Sequence, residues 1–340
     1  MGRAREMNGT LPADQPRKHH YLPQFYLKGF TGAEERLFQC DRHSGKLATV
    51  GIGDAAAKKD FHRFEEPSVA HPWFDPNAAE KMFAQIEGIQ ADALRRALAD
   101  PTLLETQPQL RAEILGFLQM MFFRVPKVHE MLKNSTAKAL EASIKVMEKN
   151  GGMDGMPEDL KRQLNGRSIL DVVRPKPKNW YLVLNMVRLG NSRDLYKLLW
   201  PRNIAILVAQ GFRGFIAGDA AVAIYDPRAG RTAWKMAGFA SPTAEFSFPL
   251  SSRMLLLLGH DIPPGVATVS DDEVRQFNRR TIVWSERFLF AETFDAVTLR
   301  DAMELTERQA GFSAENLEVT DGIYTISSMD PIHPAMLETP

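Results

Sequence analysis

Six side chains in this sequence have the types and spacings to act together. Adjacent His19 and His20 open the densest aromatic segment of the chain, His19-His20-Tyr21-Leu22-Pro23-Gln24-Phe25-Tyr26-Leu27-Lys28-Gly29-Phe30. Imidazole titrates near neutrality and binds metal when neutral, so either ring suits a metal ligand or a general acid–base group. Neighbouring side chains in extended backbone point to opposite faces, so at most one of the two easily serves a single site. Glu80 and Glu87 are seven residues apart, about 700° of helical turn, and so lie on nearly one face. With a histidine, two such carboxylates would hold a divalent cation. Arg124 borders an apolar helical stripe just before Pro126, where its planar fork could clamp a phosphate or carboxylate. Asp219 follows an apolar run at the C-terminal end of an expected strand, where sites in open sheets gather.

These residues assign His19, His20, Arg124 and Asp219 to catalysis, and His20, Glu80 and Glu87 to a divalent metal. Each also has a plainer use. The histidines would be satisfied by backbone carbonyls beneath an aromatic plug, and the glutamates would lie on a solvated helix face. Arg124 would bridge helix-end carbonyls or pair with an acid, and Asp219 would close a turn.

The elements that must position them follow from periodicity. Leu37 to Cys40 and Lys46 to Val50 flank Asp41-Arg42-His43-Ser44-Gly45, the pattern of a hairpin. Met82, Ile86, Ile89, Ala93 and Ala97 predict a helix over 77–99, started by Asp75-Pro76. Leu110, Ile114, Leu118, Met121 and Val125 predict a second from about Gln107, kinked or ended at Pro126, with helical composition continuing over 127–149. Residues 150–178 read as a loop-rich insertion. Short apolar runs at 204–209, 215–217, 222–225, 246–248 and 254–258 predict one small sheet. Val274, Phe277, Thr281, Trp284 and Phe288 predict a helix over 271–290. The order gives an α+β fold: an N-terminal hairpin and aromatic segment, long central helices, a small mainly antiparallel sheet and C-terminal helices. The expected organisation is a mobile leader over 1–16, a single domain over 17–310, and an irregular edge and tail over 311–340.

The opening segment resembles that of the mainly bacterial family called domain of unknown function 4238, whose members begin His-His-Tyr-Val-Pro-x-Phe-Tyr-Leu; here Leu22 replaces the valine. The resemblance extends to Gly45-Lys46, the Glu80 and Glu87 pair, Arg124-Val125-Pro126, Asp219, Phe248-Pro249-Leu250-Ser251 and Asn278. The family's usual Thr-Ser-Asp-Asn-Pro is here Ala217-Gly218-Asp219-Ala220-Ala221, retaining only the aspartate. The family carries no established activity, so the resemblance implies kinship of fold and no chemistry.

Composition narrows the remaining classes. The 340 residues carry 42 Lys and Arg against 42 Asp and Glu, which excludes a globally polycationic nucleic-acid binder while leaving room for a local basic groove. A single cysteine, Cys40, excludes an internal disulfide and fits a reducing compartment, so a cytoplasmic location is expected. No apolar run approaches the roughly 20 residues of a membrane span. Nucleotide-loop, zinc-finger and nucleophile-elbow motifs are absent. Together the residues predict metal-assisted hydrolysis of a phosphodiester or related ester, a nuclease among the options. The competing class is a binding or scaffold module in which the same residues form a structural polar network.

Overall fold

The computed structural model describes residues 17–32, 35–64, 75–151, 155–165, 167–172, 179–229, 238–319 and 322–338. In chain order, β1 (Lys18–His20) leads into α1 (Gln24–Leu27), which tightens into a 3₁₀ turn over Lys28–Phe30. Then come β2 (Arg36–Asp41), β3 (Lys46–Gly51) and β4 (Ala57–Lys59). The long helices are α2 (Ala78–Ala99), α4 (Pro108–Phe123) and α5 (Pro126–Lys149), with the short α3 (Leu103–Thr106) between the first two. Four further helices follow: α6 (Glu158–Leu164), α7 (Ile169–Val172), α8 (Asn179–Gly190) and α9 (Arg193–Leu199). The second half holds β5 (Asn203–Ala209), β6 (Ala217–Gly218), β7 (Ala223–Tyr225), β8 (Glu245–Pro249), β9 (Met254–Gly259) and β10 (Gly265–Val269). It closes with α10 (Asp271–Trp284), β11 (Phe288–Ala291), α11 (Ala296–Glu304), β12 (Gly311–Val319), β13 (Gly322–Asp330) and α12 (Pro334–Leu337).

The architecture is α+β, with small and mostly antiparallel sheets. The larger sheet runs β10-β5-β9-β8-β7, and only its β10–β5 pair is parallel. A second sheet, β3-β2-β11-β6, is antiparallel throughout. The runs expected to form one sheet are divided between these two, because β6 turns away from its sequence neighbours to pair with β11.

The aromatic opening is a plug in the core. Pro23, with φ −60°, precedes α1, and Tyr21, Leu22, Tyr26, Leu27 and Phe30 are all buried. Tyr26 stacks on Phe248 at 5.5 Å and meets Phe117 edge-on at 6.1 Å, so the plug joins α4 to β8. Gly29 permits the close approach: a Cβ there would lie 3.0 Å from the Leu250 carbonyl oxygen. Burying each large apolar side chain is worth about 1.5–3 kcal/mol, which fixes β1 against the helices.

α4 is buried over Phe117–Phe123 without a break, so it forms the central rod of the helical layer. Pro126 does not kink this rod but starts the next helix, since Arg124 and Val125 leave helical geometry between the two. The helix expected over 271–290 ends at Trp284. Ser285 becomes extended (ψ 146°), and Phe288 to Ala291 form β11, because aromatic residues at 288 and 290 fit a pleated strand as well as a helical stripe. The expected irregular tail over 311–340 is largely the β12–β13 hairpin packed on α5. Within the stretch expected as an insertion over 150–178, the described residues form α6 and α7. The leader expected over 1–16 lies outside the described residues.

Candidate metal centre

β1 and β4 pair antiparallel, Lys18 opposite Lys59 and His19 opposite Lys58. This ladder decides which imidazole turns inward. His19 is fully buried, while His20 alternates to the other face, is half-buried, and places Nε2 3.2 Å from the Gly53 carbonyl oxygen. Burial lowers the pKa of His20 below the ordinary histidine value, although the Gly53 carbonyl opposes the shift.

Just beyond β4 the chain turns and delivers a second buried imidazole, His62. The two rings stack nearly parallel, 14° apart with centroids at 6.0 Å, and the His62 backbone N–H donates to His19 Nδ1 at 2.9 Å. Glu80, in the first turn of α2, completes the group: its Oε1 lies 3.6 Å from His19 Nδ1 and hydrogen-bonds His62 Nδ1. His19, His62 and Glu80 each offer a ligand atom, and these atoms all lie within 4.8 Å of one another.

Protonation suits cation binding. Burial holds His62 far below the ordinary histidine range, at about 4, so its ring is neutral at physiological pH. Burial pushes Glu80 upward, but the His62 hydrogen bond and the nearby Arg124 charge outweigh it and leave the carboxyl below its usual value. An ionised carboxylate only accepts, so His62 carries its proton on Nδ1. Its Nε2 is then a buried lone pair with no hydrogen-bond partner among the described residues. Both imidazoles are closed to solvent; Glu80 is 28% exposed, so the centre opens on the α2 side.

α2 carries an ion pair nearly two turns further along the same face. Glu87 Oε1 accepts from Arg124 Nη1 at 2.9 Å, and Arg124 Nη2 donates to the His20 carbonyl at 2.8 Å. Arg124 is 1% exposed, with its guanidinium carbon 4.5 Å from the centre of the Phe83 ring. The His62 ring packs on Phe83 as well, at 4.8 Å. Glu80, Phe83 and Glu87 thus form one stripe of α2, with an imidazole above one end and a guanidinium above the other.

Of the residues expected at the site, His19 and Glu80 enter the three-residue cluster. His20 contributes its backbone carbonyl to Arg124, and Glu87 pairs with that arginine. Asp219 is not brought to the cluster. It is buried, and its carboxylate accepts from the backbone N–H groups of Glu286, Arg287 and Phe288 at 2.8, 2.9 and 2.9 Å, fixing the turn into β11. Burial raises its pKa even so. His62 was not anticipated. It lies 43 residues from His19 in a connection without periodicity, and only the β1–β4 register brings the two together.

The chain belongs to the family described as "Protein of unknown function (DUF4238)", which matches residues 18–295 and so includes the whole cluster. Comparison with curated proteins and with solved structures finds no match.

Proposed function

We propose that His19, His62 and Glu80 hold a divalent transition-metal ion and that the protein is a metal-assisted hydrolase of a phosphodiester or related ester. The observation that carries this is the convergence of the three ligand atoms, with His62 held neutral by burial. Two imidazoles and one carboxylate suit zinc, manganese or iron better than magnesium or calcium, which prefer all-oxygen shells. Three protein ligands leave coordination positions for water and for a phosphoryl oxygen. The metal would supply an activated water at neutral pH. Arg124, anchored by Glu87 and the His20 carbonyl, would contribute positive charge beside the ion, where charge develops as the ester is attacked. With His62 neutral and Glu80 ionised, an ion taking Nδ1 would leave the imidazole proton on Nε2, so binding would need no net proton release.

The test combines isothermal titration of the metal-free protein with Zn²⁺ and Mn²⁺ and hydrolysis of bis(p-nitrophenyl) phosphate. Wild type is expected to bind one ion and turn over the ester, and Glu80→Gln to lose both, at least tenfold in metal affinity. A chain that binds neither ion is not a metal hydrolase. One observation favours a structural network instead: the ligand atoms already bond one another, His62 Nδ1 to Glu80 and His19 Nδ1 to the His62 backbone. In that case Glu80→Gln lowers stability by about 1–3 kcal/mol and metal has no effect on melting.

A further inference from the structure

The two histidine-bearing segments are also the most basic stretches beside the centre. Residues 17–20 read Arg-Lys-His-His and residues 57–63 read Ala-Lys-Lys-Asp-Phe-His-Arg, five cations against one carboxylate in a chain of zero net charge. The β1–β4 register brings three of these cations into one ladder, with Lys18 opposite Lys59 on one face and Lys58 opposite His19 on the other. Arg17 pairs with Asp60 and Lys18 with Asp54. Lys58 and Lys59 are exposed and make no ion pair among the described residues; the Lys58 ammonium stands 5.7 Å from the centre of the Phe61 ring, the residue before His62. The proposed ligand His19 lies at the middle of this ladder between Lys18 and His20, an arrangement for a substrate with phosphates on both sides of the one that reacts.

We infer that the substrate is a single-stranded nucleic acid, its backbone phosphates lying along the β1–β4 ladder while one phosphodiester reaches the opening beside Glu80. The inference rests on the metal-centre proposal for its chemistry and on the ladder for its choice of substrate. Three ladder pairs span about 10 Å, room for a few phosphates of one strand. The rest of the chain balances this local excess with acid, so a broad duplex-binding face is not expected. An anionic membrane would call for apolar side chains beside the cations, and none of the exposed large apolar residues lies on β1 or β4.

The test is fluorescence anisotropy with a labelled single-stranded oligonucleotide in EDTA, so that binding is read without metal. Wild type is expected to bind at 50 mM salt and to weaken about tenfold or more by 200 mM, the behaviour of roughly three phosphate contacts. The double variant Lys58→Gln/Lys59→Gln, with its fold checked by circular dichroism, should lose at least fivefold in affinity at 50 mM salt and show a shallower salt dependence. The inference is overturned if wild type fails to bind at 50 mM salt, if the double variant binds as tightly as wild type, or if vesicles of anionic phospholipid are bound more tightly than the oligonucleotide. Metal titration without nucleic acid reads the centre separately. Oligonucleotide binding without metal binding would remove the hydrolase and keep the ladder, whereas the reverse would keep the centre and remove this substrate.

Discussion

At the residue scale, His62 couples the centre to pH. Its folded-state pKa of about 4 is below the ordinary 6.5, so the unfolded chain takes up a proton first as pH falls. The stability associated with neutral His62 is therefore complete above pH 6.5 and is lost progressively as pH drops toward 4. Urea unfolding across that window should show a falling midpoint, and His62→Asn should flatten the slope; an equal slope in both proteins would place the titration elsewhere. Glu87 poses a different question. Part of its carboxylate is solvated, but it is the partner of a fully buried guanidinium. Glu87→Gln should destabilise the chain by about 1–3 kcal/mol in thermal unfolding, because Arg124 is left without its counter-charge. A site residue on a solvated face would have shown no change or a gain on the same substitution.

The elements show which parts of this arrangement the sequence makes legible. α2, α4 and the hairpin β2–β3 follow from local periodicity and from Gly45, whose φ of 67° suits the turn. The shared face of Glu80 and Glu87 is legible for the same reason, since helical spacing is a local property. What local spacing hides is pairing between distant segments. The alternation of β1 says that one of His19 and His20 faces inward, and only pairing with β4 and the plug on α4 settles that it is His19. His62 is invisible for that reason, as is β11, whose Phe288-Leu289-Phe290 run continues a helical stripe until β2 and β6 take it as a strand. Asp219 belongs to this scale. Three backbone N–H groups converge on its carboxylate and hold the β6–β11 connection. Asp219→Asn replaces one accepting oxygen with an amide that can only donate, and should cost about 1–3 kcal/mol in denaturant unfolding while leaving metal affinity unchanged. A loss of metal affinity without a loss of stability would instead return Asp219 to the site.

For the whole molecule, the family match over residues 18–295 covers the plug, the His19–His62–Glu80 cluster, α2 to α10 and both main sheets. The β12–β13 hairpin that braces α5 lies beyond it. No helix among the described residues is long and apolar enough to cross a membrane. Charge is unevenly placed: residues 17–63 carry nine Lys and Arg against five Asp and Glu, and the remainder of the chain is correspondingly acidic. The cluster thus sits in the basic part of a neutral protein, with His19 fully buried and His62 held neutral by its own burial. The proposed metal occupancy of this cluster is open to direct test. Its most direct measurement is the metal content of the purified protein by elemental analysis, with thermal unfolding of the metal-free chain before and after Mn²⁺ or Zn²⁺ is added. The expected result is one divalent ion per wild-type chain, a melting temperature raised by several degrees on reloading, and neither property in Glu80→Gln. A wild-type chain that carries no metal and melts at the same temperature with and without either ion would contradict the account.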